Sequence, residues 1–174
     1  EQQQVERAER PQHDGLEQQR ERHEQPHAVR GVPGGDQPDR ELTWDDLRDL
    51  VARCRVGLVR LGIGRGDRVV AYLPNGPEAL VAFLATASLG AVWASCPPEF
   101  GVQSVLDRFG QLDPTVLLVV RGYRYGAKDV DRNEEVDAIV AGLASVAAVV
   151  DVDTAWDDLL SEQGELAFEP VPFD

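Results

Sequence analysis

Residues 62–98, GIGRGDRVVAYLPNGPEALVAFLATASLGAVWASCPP, limit what the chain can become more than any other stretch. Residues 68–73 (RVVAYL) form a short β-branched and aromatic run. Gly66-Asp67 precedes it and Pro74-Asn75-Gly76-Pro77 follows. Gly and Asn tolerate positive φ, and Pro fixes φ while removing a donor, so both flanks are turns around a strand. Pro77 suits a first helical turn, where its missing N–H is not needed, and Glu78 there complements the helix dipole. Residues 79–89 are apolar around most of a helical circumference, which predicts a helix buried on more than one side. Gly90 ends it, and residues 91–95 begin a second strand that Pro97-Pro98 stops. Strand, helix and strand at this spacing predict a right-handed βαβ unit with parallel strands.

The flanking sequence continues the alternation. Thr43 can cap a helix whose first turn holds Asp45 and Asp46. Leu47, Leu50, Val51, Cys54, Leu58 and Leu61 then fall on one helical face, and Gly62 is the natural stop. Gly62, Gly64 and Gly66 resemble a phosphate loop in composition but not in context. Such a loop follows a strand and opens a helix, whereas here a helix precedes and a strand follows. Asp67 and Arg68 are neighbours that could pair locally, worth about 0–1 kcal/mol if exposed. Residues 101–112 read as a helix ended by Asp113-Pro114. Residues 115–120 (TVLLVV) read as a strand buried on both faces. A helix is expected from 130 or 131 to 143, a strand over 146–152, and a short helix around Trp156, Leu159 and Leu160. Residues 165–174 are expected to be extended. The expected fold is α/β: an open, mostly parallel sheet flanked by helices.

Composition divides the chain. Residues 1–40 contain no aromatic side chain, all three histidines, and six arginines against nine acidic residues. With so little apolar surface to offset the entropy of ordering, this segment is expected to be a disordered tail. The chain has no methionine, not even at its start, so a second expectation is that the tail is a translation artefact. Most of the net charge of −14 then falls on residues 41–174, and that acidity argues against nucleic acid and anionic membrane as partners. Cys54 and Cys96 sit in apolar segments and are expected to be free and buried. The longest apolar run, residues 79–93, is too short to span a bilayer, and no leader pattern opens the chain. A cytoplasmic protein is expected.

Residues 66–93 resemble the AMP-binding, adenylate-forming acyl-CoA synthetases. WASCPPEFG at 93–101, LDRFGQLDPTVLLVV at 106–120 and GYRYGAKDVDR at 122–132 resemble the acetoacetate–CoA ligase branch of that family. The family pattern has Ser where Ala94 and Pro97 stand and Asp at Glu99. The resemblance extends over residues 41–174. It implies the N-terminal subdomain of the adenylate-forming fold, in an enzyme that uses ATP, Mg2+ and CoA to activate acetoacetate. Such chemistry needs a Ser/Thr/Gly-rich loop around the triphosphate and a lysine for charge developing on the carboxylate. The family places that loop just after a segment like FEPVPFD (168–174) and the lysine far later. Residues 41–174 are therefore expected to be a partial adenylation domain, cut before the phosphate loop and inactive alone. No catalytic residue and no metal ligand is assigned within it.

One constellation has a ligand-binding expectation. Residues 120–126 (VRGYRYG) follow the strongest strand, at the end where open α/β sheets place ligands. In related short-chain enzymes an Arg-Gly-x-Arg run here contacts the nucleotide end of CoA, so the resemblance makes Arg121 and Arg124 CoA-binding residues. Guanidinium groups suit the 3′-phosphate, and a tyrosine could pack on adenine. Two alternatives stay open: an α/β module that binds CoA or a nucleotide without catalysis, and a non-functional remnant. A polar loop covering the sheet edge would account for the same residues.

Overall fold

The computed structural model describes residues 29–30, 41–168 and 170. Of the segment expected to be a disordered tail, only β1 (Val29–Arg30) lies among them. Its backbone pairs antiparallel with β2 (Glu41–Leu42). The rest of that expectation, and the last residues of the extended C-terminal stretch, fall outside the described residues.

Helix α1 (Trp44–Arg60) begins as its sequence requires. Thr43 Oγ1 accepts from the Asp46 amide at 3.1 Å, and Asp46 Oδ2 accepts from the Thr43 amide at 3.1 Å. That reciprocal box satisfies two donors that the first turn would leave open. The Thr43 hydroxyl also donates to Asp46 Oδ2 at 2.7 Å, and that bond first, then the one from the Thr43 amide, holds the Asp46 carboxyl below its usual range. Leu47, Val51, Cys54 and Leu58 are buried along one face, as the spacing predicts.

Four strands form one parallel sheet in the order β4 (Val92–Cys96), β3 (Arg68–Tyr72), β5 (Val116–Val119) and β8 (Ala148–Asp151). Arg68 pairs with Val92, Val69 with Val116, and Val116 with Ala148. The chain moves from β3 outward to β4, then returns past β3 to β5. The direction of winding therefore reverses between β3 and β5.

Alternation along the two central strands sorts the core into two layers. Val69, Ala71, Val116 and Leu118 pack with α1 and α2 (Pro77–Ser88) on one face, joined by α5 (Trp156–Leu159). Val70, Tyr72, Leu117 and Val119 pack with α3 (Val102–Phe109) and α4 (Asn133–Gly142) on the other. Covering on both faces explains why β3 and β5 read as continuous apolar runs. Helix α2 buries Val81, Ala82, Ala85, Thr86 and Ser88, and its two buried hydroxyls donate to backbone carbonyls one turn back. Phe83, on its other side, is half exposed and meets Trp93 at 6.2 Å between ring centroids.

The glycine run after α1 is a connection between helix and strand. Gly62 and Gly66 have φ of 87° and 81°, where a side chain would be strained, and the Gly66 amide donates to the Gly90 carbonyl at 3.0 Å.

Three expectations change. Asp67 and Arg68 do not pair: Asp67 Oδ2 accepts from the Gly64 amide at 2.8 Å, while Arg68 donates to the carbonyls of Leu112 (2.8 Å) and Asp113 (2.6 Å). Helix α3 stops at Phe109 rather than at 112. Gly110 caps it, and Asp113 adopts φ 48° with its carbonyl held by Arg68. Helix α4 begins at Asn133 rather than at 130 or 131, because residues 128–131 belong to a strand.

Cys54 and Cys96 are free and buried. Burial pushes the Cys54 thiol up to about 12 and raises that of Cys96 as well. A thiolate-specific disulfide reagent at pH 8 should label neither cysteine in the folded chain and both after denaturation. Rapid labelling of either in the native state would contradict this burial. A second prediction concerns Gly57, which lets α1 approach α5. Gly→Ala inside a helix ordinarily stabilises by up to about 1 kcal/mol. At Gly57 the added Cβ would land on the Leu159 carbonyl oxygen and 2.8 Å from Leu159 Cδ1. Gly57→Ala should therefore destabilise by about 2 kcal/mol in a denaturant titration, and an unchanged or higher midpoint would contradict the close approach.

Candidate functional site

Reversal of winding between β3 and β5 opens a crevice at their carboxyl ends, the usual place for a ligand in such a sheet. Tyr72 ends β3 there. Its side chain is fully buried, and its hydroxyl donates to the Pro98 carbonyl at 2.6 Å, with the Phe100 carbonyl at 2.9 Å sharing the proton. Burial raises this phenol above its ordinary range, so it remains a donor at neutral pH. The Val120 amide donates to the Tyr72 carbonyl at 3.2 Å, carrying the β3–β5 pairing one residue past β5.

The next residues are not a loop. They form an antiparallel hairpin, β6 (Gly122–Tyr125) and β7 (Lys128–Asp131), turned through Gly126 at φ 57° and Ala127. At its base the Arg132 amide donates to the Arg121 carbonyl at 2.8 Å. A two-residue turn with a glycine at positive φ, between four-residue arms, is a hairpin signature. Sequence reasoning missed it because the arms carry four charged residues and little apolar alternation.

Arg121 lies between β5 and β6, and acidic groups converge on it. Its Nη1 donates to Asp137 Oδ1 at 2.9 Å and Asn133 Oδ1 at 3.2 Å, both on α4, and its Nε stands 3.6 Å from Asp151 Oδ2 at the end of β8. Arg124 is on β6, opposite Asp129. Its side chain is 45% exposed, its Nε donates to the Gly126 carbonyl at 3.3 Å, and Asp129 stands 4.0 Å away. The structure thus does not bring the two arginines onto a shared partner. Arg121 is engaged with carboxylates, whereas Arg124 retains most of its donors. Tyr125 beside it is 71% exposed.

Tyr123 is the other tyrosine of the hairpin. The Arg132 guanidinium lies 5.7 Å from its ring centroid and Nη2 reaches its hydroxyl at 3.4 Å, while Nη1 donates to Glu135 at 2.6 Å. Tyr123 is therefore taken up within the fold, which leaves Tyr125 as the open aromatic surface. Asp131 Oδ1 accepts from the Asn133 amide at 2.7 Å at the start of α4, and that bond lowers its pKa. Two residues after β8, Asp153 is raised, by burial first and then by the charges of Asp151 and Glu78. The carboxyl edge of the sheet is thus acidic towards β8, while the hairpin balances Arg124 and Lys128 against Asp129 and Asp131. Arg132, Asp137 and Asp151 were missed as participants because each is brought in from a different element.

Among the described residues no group of three or more His, Cys, Asp and Glu side chains could hold a metal ion, and no helix is long and apolar enough to cross a membrane.

The model of the AMP-binding enzyme family matches residues 16–172. Acetoacetyl-coenzyme A synthetase of Rhizobium meliloti (strain 1021) is 42% identical over 155 residues, covering 80% of this chain and 24% of that protein. Acetoacetyl-CoA synthetase of Macaca fascicularis is 36% identical over 154 residues, 76% of this chain and 23% of that one. Among solved structures, acetoacetyl-CoA synthetase from Streptomyces lividans superposes with a TM-score of 0.73 at 43% identity, over 79% of this chain and 23% of its own. A Mycobacterium tuberculosis fatty acyl CoA synthetase superposes with a TM-score of 0.64 at 25% identity, over 76% of this chain and 25% of its own. The chain spans about a quarter of the length of the relatives it matches. With the expected parallel sheet in place and a family match over nearly its whole length, the chain belongs to the AMP-binding enzyme family, among relatives named acetoacetyl-CoA synthetase.

Proposed function

We propose that this chain is part of an ATP-dependent, AMP-forming acetoacetate–CoA ligase. The whole enzyme would join acetoacetate to AMP with release of pyrophosphate, then pass the acyl group to the CoA thiol. The observation that carries the proposal is the 42% identity to a relative named for acetoacetyl-CoA, over 80% of this chain. A cytoplasmic location goes with it, a compartment that suits two buried cysteines in the thiol form.

Among the described residues none fits the triphosphate or its magnesium. The glycines at 62–66 join a helix to a strand, and no acidic cluster among the described residues suits a cation. Residues 1–174 alone are proposed to be inactive. CoA is different. Arg124 is exposed, weakly partnered and next to an open tyrosine ring, which fits a phosphate and a purine face. Arg121 would add charge from beneath, through a guanidinium already shared with Asp137 and Asp151.

A second reading, a non-catalytic α/β module for CoA or a nucleotide, draws on the two apolar layers that close over β3 and β5 within this chain. Activity separates the two. Acetoacetate-dependent exchange of pyrophosphate into ATP should be absent from the purified 174-residue chain and present in the complete enzyme. Exchange by the short chain would overturn the assignment of missing parts, and none by the complete enzyme would favour the binding module. In the complete enzyme Arg124→Ala should weaken CoA about ten- to a hundredfold, the value of a lost charge-assisted hydrogen bond. Dephospho-CoA, which lacks the 3′-phosphate, should lose far less. Equal losses for both compounds would return the hairpin to a plain sheet cover.

A further inference from the structure

The geometry points to Arg132 as the positioning residue of the β6–β7 hairpin: through Tyr123 and Glu135 it locks the hairpin to α4 and so sets where Arg124 and Tyr125 stand. This inference rests on the reading of Arg124 as the CoA contact.

Three observations carry it. Arg132 is the residue between β7 and α4, so it occupies the joint about which the hairpin would pivot. Its guanidinium reaches both sides of that joint, lying against the ring of Tyr123 on β6 and donating to Glu135 on the first turn of α4 at 2.6 Å. Guanidinium planes suit this double use, because one face stacks while the edge donates. The Tyr123 hydroxyl, and behind it the Glu135 carboxylate, favour the charged form of Arg132. The third observation is a cost. Arg132 Nε is buried and has no hydrogen-bond partner in the structure. An unpaired buried N–H opposes folding, so stability alone is a poor reason to keep an arginine here. Its orientation, fixed by Tyr123 and Glu135, is the better one.

The hairpin has a second tether, since Arg121 ties the start of β6 to Asp137 and Asp151. Arg121 holds the entering strand and Arg132 the leaving one, both against α4. Arg124 lies beyond both, towards the turn.

Arg132→Ala and Tyr123→Ala in the complete enzyme test this, with Tyr123→Phe as the variant that keeps the ring. Both alanine variants should speed amide hydrogen exchange across residues 122–131 at least about tenfold, while residues 68–72 and 116–119 exchange as in the parent. Preference for CoA over dephospho-CoA should fall about tenfold in the same two variants. Tyr123→Phe, which keeps the ring but loses the hydroxyl contact, should fall between the parent and Tyr123→Ala in both respects. Parent-like exchange across residues 122–131 in Arg132→Ala would overturn the brace. A loosened hairpin that keeps its preference for CoA would overturn its role in positioning. If the parent enzyme shows no such preference, the reading of Arg124 fails instead, and hydrogen exchange still decides whether Arg132 holds the hairpin.

Discussion

Pairing between β3 and β5 is the interaction on which the other elements depend. Val69, Val70, Ala71 and Tyr72 on one strand, and all four residues of β5 on the other, have no exposed surface. A parallel pair of this kind cannot stand in water on either face, so it needs a helical layer above and another below. Each fully buried Val or Leu is worth about 1.5–3 kcal/mol relative to exposure. Six of these eight positions are Val or Leu, and the helices packed on both faces add their own burial against the cost of ordering the crossovers. Once the pair forms, the chain leaves β3 towards one face and β5 towards the other. The crevice between those exits follows from topology, before any side chain in it is specified.

Charge is handled differently from apolar burial. In a chain of net charge −14, several arginines among the described residues tie elements together. Arg60 reaches Asp158 and Glu162, and Arg53 reaches the Leu160 carbonyl, so both bring the segment around α5 onto α1. Arg121 and Arg132 do the same for the hairpin and α4. Exposed pairs contribute about 0–1 kcal/mol each, too little to drive folding. What they provide is orientation. Arg124 is the contrast, a half-exposed cation whose nearest carboxylate is at 4.0 Å.

The parts legible in sequence are those whose physics is local. The face of α1, its threonine cap, the apolar strands β3 and β5 and the closing glycines each announce themselves within a few residues. The hairpin did not, because GYRY and KDVD are short, polar and covered on neither side by a large apolar layer. The early end of α3 was hidden for another reason. It involves Arg68, which holds the carbonyls of Leu112 and Asp113 from 44 and 45 residues away. Arg121 and Arg124 were found as a pair through family resemblance. That Asp137 and Asp151 would engage the first and leave the second open depends on tertiary contacts that no spacing encodes.

The central claim is that the crevice at the carboxyl ends of β3 and β5, with its hairpin, receives the nucleotide end of CoA. The most direct measurement is a titration of adenosine 3′,5′-bisphosphate into the isotopically labelled 174-residue chain, followed by amide chemical shifts. The account predicts saturable changes concentrated in residues 120–131, and markedly smaller ones with adenosine 5′-monophosphate, which lacks the second phosphate. Saturable changes centred elsewhere, or identical responses to the two nucleotides, would contradict it.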